Sequence, residues 1–284
     1  NQYKQKEKSA AKAMDLRIRQ QATDTLDDKV TGQLSKIEQT YNSRWLEPMQ
    51  DLNLRPVATN LHTTEDKLAI DYRLAGIHQL AAHGFRPEIP TETLVGIQIH
   101  ESAMNNLLHN LDLDGKSGKL VDVMKRIASQ LGMESFNVPV DVPETVMVRI
   151  MERESVRLRF YKGKIQLMIQ MRQLQNKRVG WRNFAILAEY APSSDAISGT
   201  LQRQGIIQIL GNGLRLGDRI ALQTIFNKVL PSTQTLTLLG ENIVEHPNME
   251  TAGIKVFEIN QGWLTFAVAD SQSAVATADD STDR

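Results

Sequence analysis

At 284 residues the chain is long enough to bury a full core, as one large domain or two small ones. Lys+Arg and Asp+Glu both number 33, which excludes the global basic field of a nucleic-acid binder. Cys is absent, which excludes disulfides, thiolate metal sites and cysteine nucleophiles, and no run of about 18 apolar residues is present to cross a membrane as a helix.

The chain begins at Asn1 with no Met and no signal-like apolar segment, and so reads as a mature or trimmed form. Its first 45 or so residues contain no Pro and only Gly32. Met14, Ile18, Ala22, Leu26, Val30, Leu34, Ile37, Tyr41 and Trp45 recur at steps of three or four, a stripe that predicts one helix about 60 Å long. The near-heptad run from Leu26 to Tyr41 suits pairing with a second copy. Six Lys or Arg against two acids fill the first twenty residues, which reads as a solvated helix face.

After Pro48 the pattern turns to strands. Residues 56–62 and the alternation Leu68, Ile70, Tyr72 and Leu74 predict a hairpin around a polar turn at 63–66. Residues 82–93 form a connection. A strand at 94–100 runs into a helix at 101–111 that Glu101 and Ser102 are placed to cap, and a second helix covers 119–132. The clearest signal lies at 145–191. Val146, Val148 and Ile150, then Val156, Leu158 and Phe160, then Ile165, Leu167, Ile169 and Met171 alternate with polar neighbours around the turn Tyr161-Lys162-Gly163-Lys164. Period two of this kind marks antiparallel strands with one buried face. Strands at 179–190 and 197–210, a helix at 217–230 with Leu222, Ile225, Phe226 and Val229 inward, and two strands at 253–260 and 263–269 complete the order. The last strand is largely apolar on both faces, so it should be covered on both sides, by the shared core on one and by the N-terminal helix or the helix at 217–230 on the other. Residues 270–284, rich in Ser, Thr, Ala and Asp, predict a disordered tail.

No catalytic constellation accompanies these elements. Gly115-Lys116-Ser117 lacks the first Gly and the upstream strand of a phosphate loop. Asn110, Asp112, Asp114 and Gly115 match the opening positions of a calcium loop, but Val121 stands where a bidentate Glu is required, so a polar turn with Gly115 left-handed accounts for them. The six His, at 62, 78, 83, 100, 109 and 246, show no one-face metal spacing. No G-x-S-x-G elbow is present, and Gly211-Asn212-Gly213 lacks the third Gly of a dinucleotide fingerprint. The least implausible acid–base pair is His100 and Glu101, at a strand-to-helix junction. Trp181 with Lys177, Arg178 and Arg182 forms a small basic-aromatic cluster, better read as a wet hairpin end than as a base-stacking platform.

The run Gly96-Ile97-Gln98-Ile99-His100-Glu101-Ser102-Ala103-Met104-Asn105-Asn106-Leu107-Leu108, a strand leading into an Asn- and Leu-rich helix before curved antiparallel strands, resembles tubular lipid-binding domains. That superfamily includes the bactericidal permeability-increasing proteins and several small bacterial envelope proteins. The resemblance covers about 94–210. It implies a long helix gripped by a strongly bent sheet with lipid between them. The helix at 119–132 and the N-terminal helix depart from that plan.

The expected fold is α+β: a long N-terminal helix (1–50), then a large curved antiparallel sheet with helices on one face (51–269), then the tail (270–284). The expected function is a non-enzymatic binding protein of the cell envelope, or a secreted one, for an apolar or lipid-like ligand. Flexible apolar side chains at Met104, Leu108, Met124, Met168 and Met171 are its candidate ligand-binding residues. The alternative is an assembly module that self-associates through the N-terminal helix. Neither a cofactor, a metal nor a nucleic-acid partner is expected.

Overall fold

The computed structural model describes residues 2–43, 47–52, 54–64, 68–76, 78–80, 82, 85–131, 138–139, 142–193, 197–233 and 235–271. The chain divides into two compact units, 1–51 and 52–284. The first contains α1 (Gln2–Tyr41) and α2 (Glu47–Asp51). Met14, Leu26 and Val30 of the α1 stripe are exposed. Trp45 and the side chains of Ile18, Ala22, Leu34, Ile37 and Tyr41 lie outside the described residues, as do 272–284 of the expected tail and part of the polar turn at 63–66.

In the second unit the order is β1 (Arg55–Thr63), β2 (Leu68–Ala75), β3 (Val95–His100), α3 (Glu101–Asn110), β4 (Ser117–Lys119), α4 (Leu120–Gln130), β5 (Val146–Ile150), β6 (Val156–Tyr161), β7 (Lys164–Asn176), β8 (Val179–Ser193), β9 (Thr200–Leu210), α5 (Leu216–Val229), β10 (Thr235–Thr237), α6 (Glu241–Val244), β11 (Ala252–Asn260) and β12 (Trp263–Asp270). Among the described residues the strands form three antiparallel sheets, the largest of them the large curved sheet that was expected. A seven-stranded one runs β10-β9-β8-β7-β5-β4 with β6 also paired to β7, β11-β12-β3 forms a second, and β1-β2 stands by itself. The larger sheet curls into a half-barrel.

The meander at 145–191 folds as its alternation predicts. Val146, Val148, Ile150, Leu158, Phe160 and Ile165 are buried, with exposed residues between them along β5 and β6. Lys162 and Gly163 make the two-residue turn between β6 and β7, both with positive φ, +50° and +75°, so the turn's twist matches that of the strands it joins. Along β7 and β8 the alternation breaks once. Met171 and Leu174 are both buried, three residues apart, and opposite them so are Phe184 and Trp181. The register of β5 against β7 shifts at Arg149/Ile150, leaving Arg172 as an extra residue, while Asn183 on β8 takes φ +52°. Arg172 donates to Asn183 Oδ1 at 3.0 Å. The two bulges therefore lie side by side. Together they let strands of 13 and 15 residues keep one face inward, and bulges also add the bend and twist a curled sheet needs.

Helices at the rims close the two sides of this sheet. On one side, the Glu101 carboxylate accepts from Phe160 N–H at 2.7 Å. Asn105, one turn on, accepts from Leu158 N–H at 2.8 Å and donates to Leu158 C=O at 2.9 Å. On the other side, Arg219 donates to Ile209 C=O and, at 3.0 Å, to Gly211 C=O, and Gln223 donates to Ile207 C=O at 2.9 Å. The expectation of helices covering one face is thus corrected for α3 and α5: they bond the outer backbone edge of β6 and that of the later part of β9, beyond the three residues that β10 pairs, where no strand is paired among the described residues. α5 also turns Phe226 toward Phe184, their rings 6.5 Å apart and edge to face. The long helix that the bent sheet was expected to grip is corrected too. Among the described residues the helices of this unit are short, the longest being α5 at 14 residues, with Pro231 just past its end where a helix cannot easily continue.

β12 lies between β11 and β3, and Leu264, Thr265, Phe266, Ala267, Val268 and Ala269 are all buried. It is covered on both faces, as its two apolar faces predict, but no helix from 217–230 supplies the second cover. On one side Phe266 and Val268 join Leu239 and Met249. On the other, the extended segment before β3 lies across the sheet: Gln98 donates to Pro87 C=O at 2.7 Å, and a Cβ added at Gly96 would come within 3.0 Å of Ile89. Gly199, at φ +63°, lets the β8–β9 connection pass beneath the Phe266 ring, where any Cβ would lie 2.5 Å from a ring carbon.

Two substitutions test this arrangement. Asn105→Ala leaves both Leu158 backbone groups without their partner and is expected to cost about 2 kcal/mol in urea denaturation, with faster hydrogen exchange at the Leu158 amide. A loss near zero would mean water replaces the side chain without penalty. Phe266→Ala is expected to cost about 3–5 kcal/mol, the range for emptying a packed core site, and a denaturation midpoint equal to that of the parent would show the site is loosely packed.

Candidate functional site

The His100–Glu101 junction is a structural joint. His100 is buried, and its Nδ1 accepts from Ser102 N–H at 3.1 Å, so His100, rather than Glu101 or Ser102, is the side chain that caps α3. Its ring meets Trp263 edge-on at 4.9 Å, and a Cβ at Gly262 would come within 3.0 Å of Nε2. Glu101 donates its N–H to Gly262 C=O at 2.9 Å, and its carboxylate is engaged by β6. One residue pair thereby ties β3, β12 and β6 together.

The calcium-like loop is equally occupied. Asn110 donates to Leu52 C=O at 2.7 Å and accepts from Gln79, Asp112 pairs with Lys116 at 2.8 Å, and Asp114 accepts from Ser155 N–H at 3.0 Å. Each oxygen donor serves a different partner, and Gly115 has φ +68°, the left-handed turn that the sequence predicts.

The five candidate ligand residues do not gather on one surface. Met104 and Leu108 are half-buried one turn apart on α3, beside the Glu101–Asn105 face that meets β6. Met124 is half-buried on α4, which packs on β4 and β5. Met168 and Met171 are three residues apart, on opposite faces of β7. Met168 sits between Arg157 and Leu187, while Met171 is 3 % exposed between Ile150 and Phe184. Along the strands of the curled sheet the buried side chains include Val146, Leu158, Met171, Phe184, Ile186 and Ile209. Arg203 is buried too, beside Tyr190, with Nη1 donating to Gly205 C=O at 2.7 Å and Nε without a partner. Burial holds the Tyr190 hydroxyl above its usual pKa, against the opposing pull of the Arg203 charge.

Two surfaces stand out instead. The first is the β1–β2 hairpin. Leu61 faces Ile70 and Thr63 faces Leu68, with a bulge at 58–60 before Ala58 meets Tyr72. Leu61 is 65 % exposed, Leu68 64 % and Ile70 42 %, all on one face. The other face carries Asn60, His62, Asp71 and Arg73. There Arg86 pairs with Asp71 and draws its carboxyl below the usual range. Alternation at 68–74 made the strand legible. Nothing local in the sequence signalled that its apolar face lies open.

The second is the far end of the β7–β8 hairpin, where Asn176, Lys177, Arg178, Val179 and Trp181 meet Asp218 and Ala221 of α5 around an open cleft of about 600 Å³. Trp181 is buried, and its indole N–H donates to Asp218 Oδ1 at 2.9 Å, while Asp218 Oδ2 accepts from Arg215 N–H at 3.0 Å at the start of α5. These bonds, the indole's first, hold the Asp218 carboxyl below the ordinary carboxylate range. A folded value below the unfolded one means the contribution is fully present above pH about 4 and is lost as pH falls through the lowered value. The indole N–H resonance of Trp181 is therefore expected to stay fixed down to pH about 4 and to move only in stronger acid, and Asp218→Asn removes that transition. A shift centred at or above the ordinary carboxylate value would contradict the assignment.

No protein-family model, curated protein or solved structure matches this chain.

Proposed function

We propose that this chain is a non-enzymatic binding protein of the cell envelope, or a secreted one, which takes an apolar or lipid-like ligand against the β1–β2 hairpin. The observation that carries this reading is the hairpin's open face, where Leu61, Leu68 and Ile70 stand in water on a two-stranded sheet that, among the described residues, no third strand joins. A lone hairpin is marginal in water unless its apolar face is covered, and apolar patches of this kind on soluble proteins mark interaction sites. The division of Met168 and Met171 between opposite faces of β7 favours this exterior surface over a ligand held between sheet and helices. The positions of His100 and Glu101, both engaged in joining elements, favour a binding role over catalysis.

A second reading, assembly through α1, is favoured by the exposure of Leu26 and Val30, four residues apart on one side of that helix. One experiment addresses both. Native mass spectrometry of protein purified from cells, followed by lipid extraction, is expected to show an apolar species bound to the parent and lost from a Leu61→Ser, Ile70→Ser double variant. A ligand-free parent overturns the first reading, and a monomeric mass that Leu26→Ser leaves unchanged overturns the second.

A further inference from the structure

At the far end of the β7–β8 hairpin, charge and apolar surface occur together. Arg172, Lys177, Arg178, Arg182 and Arg215 are all exposed, and among the described residues none of them forms an ion pair. Among the described residues the acids nearby are Glu144, in the turn before β5, and Asp218, already committed to the Trp181 indole and Arg215 N–H. The whole chain has a formal net charge of zero, so this is a local concentration of positive charge. Exposed aliphatic side chains lie on the same two elements: Val179 at the hairpin end, and Leu216 and Ile220, one turn apart, on the side of α5 turned away from Asp218.

We infer that this end of the molecule is a docking surface for an anionic lipid bilayer. The cations complement acidic headgroups, each adding a modest attraction that weakens within a Debye length, while Val179, Leu216 and Ile220 can enter the headgroup boundary and gain from burial there. A single-stranded nucleic acid would need exposed aromatic faces for its bases. The aromatic at this site, Trp181, is buried with its N–H bonded to Asp218, and the exposed apolar groups are aliphatic. The inference does not rest on the hairpin reading above, because it uses other residues and another ligand.

The test is sedimentation of the full chain with phosphatidylcholine vesicles, with and without phosphatidylglycerol, alongside a single-stranded oligonucleotide. Binding is expected only to the anionic vesicles, and is expected to weaken strongly between about 0.15 M and 1 M salt as screening shortens from about 8 to 3 Å. Lys177→Gln with Arg178→Gln should lower vesicle affinity roughly tenfold or more and leave the thermal unfolding midpoint in place, since both side chains are exposed. Leu216→Ser with Ile220→Ser should weaken binding while preserving its salt dependence. Equal binding to neutral and anionic vesicles, undiminished binding by the Gln variant, or capture of the oligonucleotide in preference to vesicles would each overturn the inference.

Discussion

Among the described residues no strand pairs with the outer edge of β6, or with β9 beyond the three residues that β10 pairs, and the rest of the larger sheet depends on how those backbone groups are satisfied. Each edge meets a helix that uses two side chains one turn apart, Glu101 and Asn105 on one side and Arg219 and Gln223 on the other. The match is geometric. Four residues of helix rise about 6 Å, close to the roughly 6.6 Å that two residues of strand advance, so side chains at i and i+4 fall opposite successive groups on the same strand edge. In both cases helix and strand run in opposite directions. The Asn105 amide goes furthest, presenting an acceptor and a donor to one residue as a paired strand would. Without these side chains the curled sheet would expose two ladders of polar groups open to other chains.

This interaction was the least legible part of the sequence. Glu101, Asn105, Arg219 and Gln223 are residues of ordinary helix surfaces, and nothing in their spacing separates a solvated face from one turned to a strand edge. The strands were far more legible, because burial of one face imposes period two on Val146 to Ile150 and Val156 to Phe160. The double bulge escaped because it breaks that period in two places at once, at Arg172 and Asn183, and each break alone looks like noise. Burial of β12 on both faces could be read from its run of apolar residues, interrupted only by Thr265. What covers it could not, since Pro87 and Ile89 lie in a segment with no periodic signal.

For candidate sites the same contrast holds. Methionine marks flexible apolar surface without saying which way it faces, and Met168 and Met171 divide between the two sides of one strand. The His100–Glu101 pair attracts attention as chemistry, yet its nitrogen and oxygen atoms hold a helix start and a strand edge. The two surfaces that remain open, at Leu61, Leu68 and Ile70 and at the Lys177–Arg178 end, are conspicuous only once the core is assembled and what it leaves uncovered can be seen.

The paired bulges at Arg172 and Asn183 bear on how this chain can change over generations. Because side chains alternate, losing one residue from β7 alone would exchange inside for outside over every position beyond it, setting Leu174 in water and Gln175 in the core. Losing one from β8 alone would do the same to Trp181. Deleting both at once would restore the match, at the cost of the curl the bulges create. Length in this hairpin is therefore expected to be inherited two residues at a time, one from each strand, and single insertions should survive only in its turns.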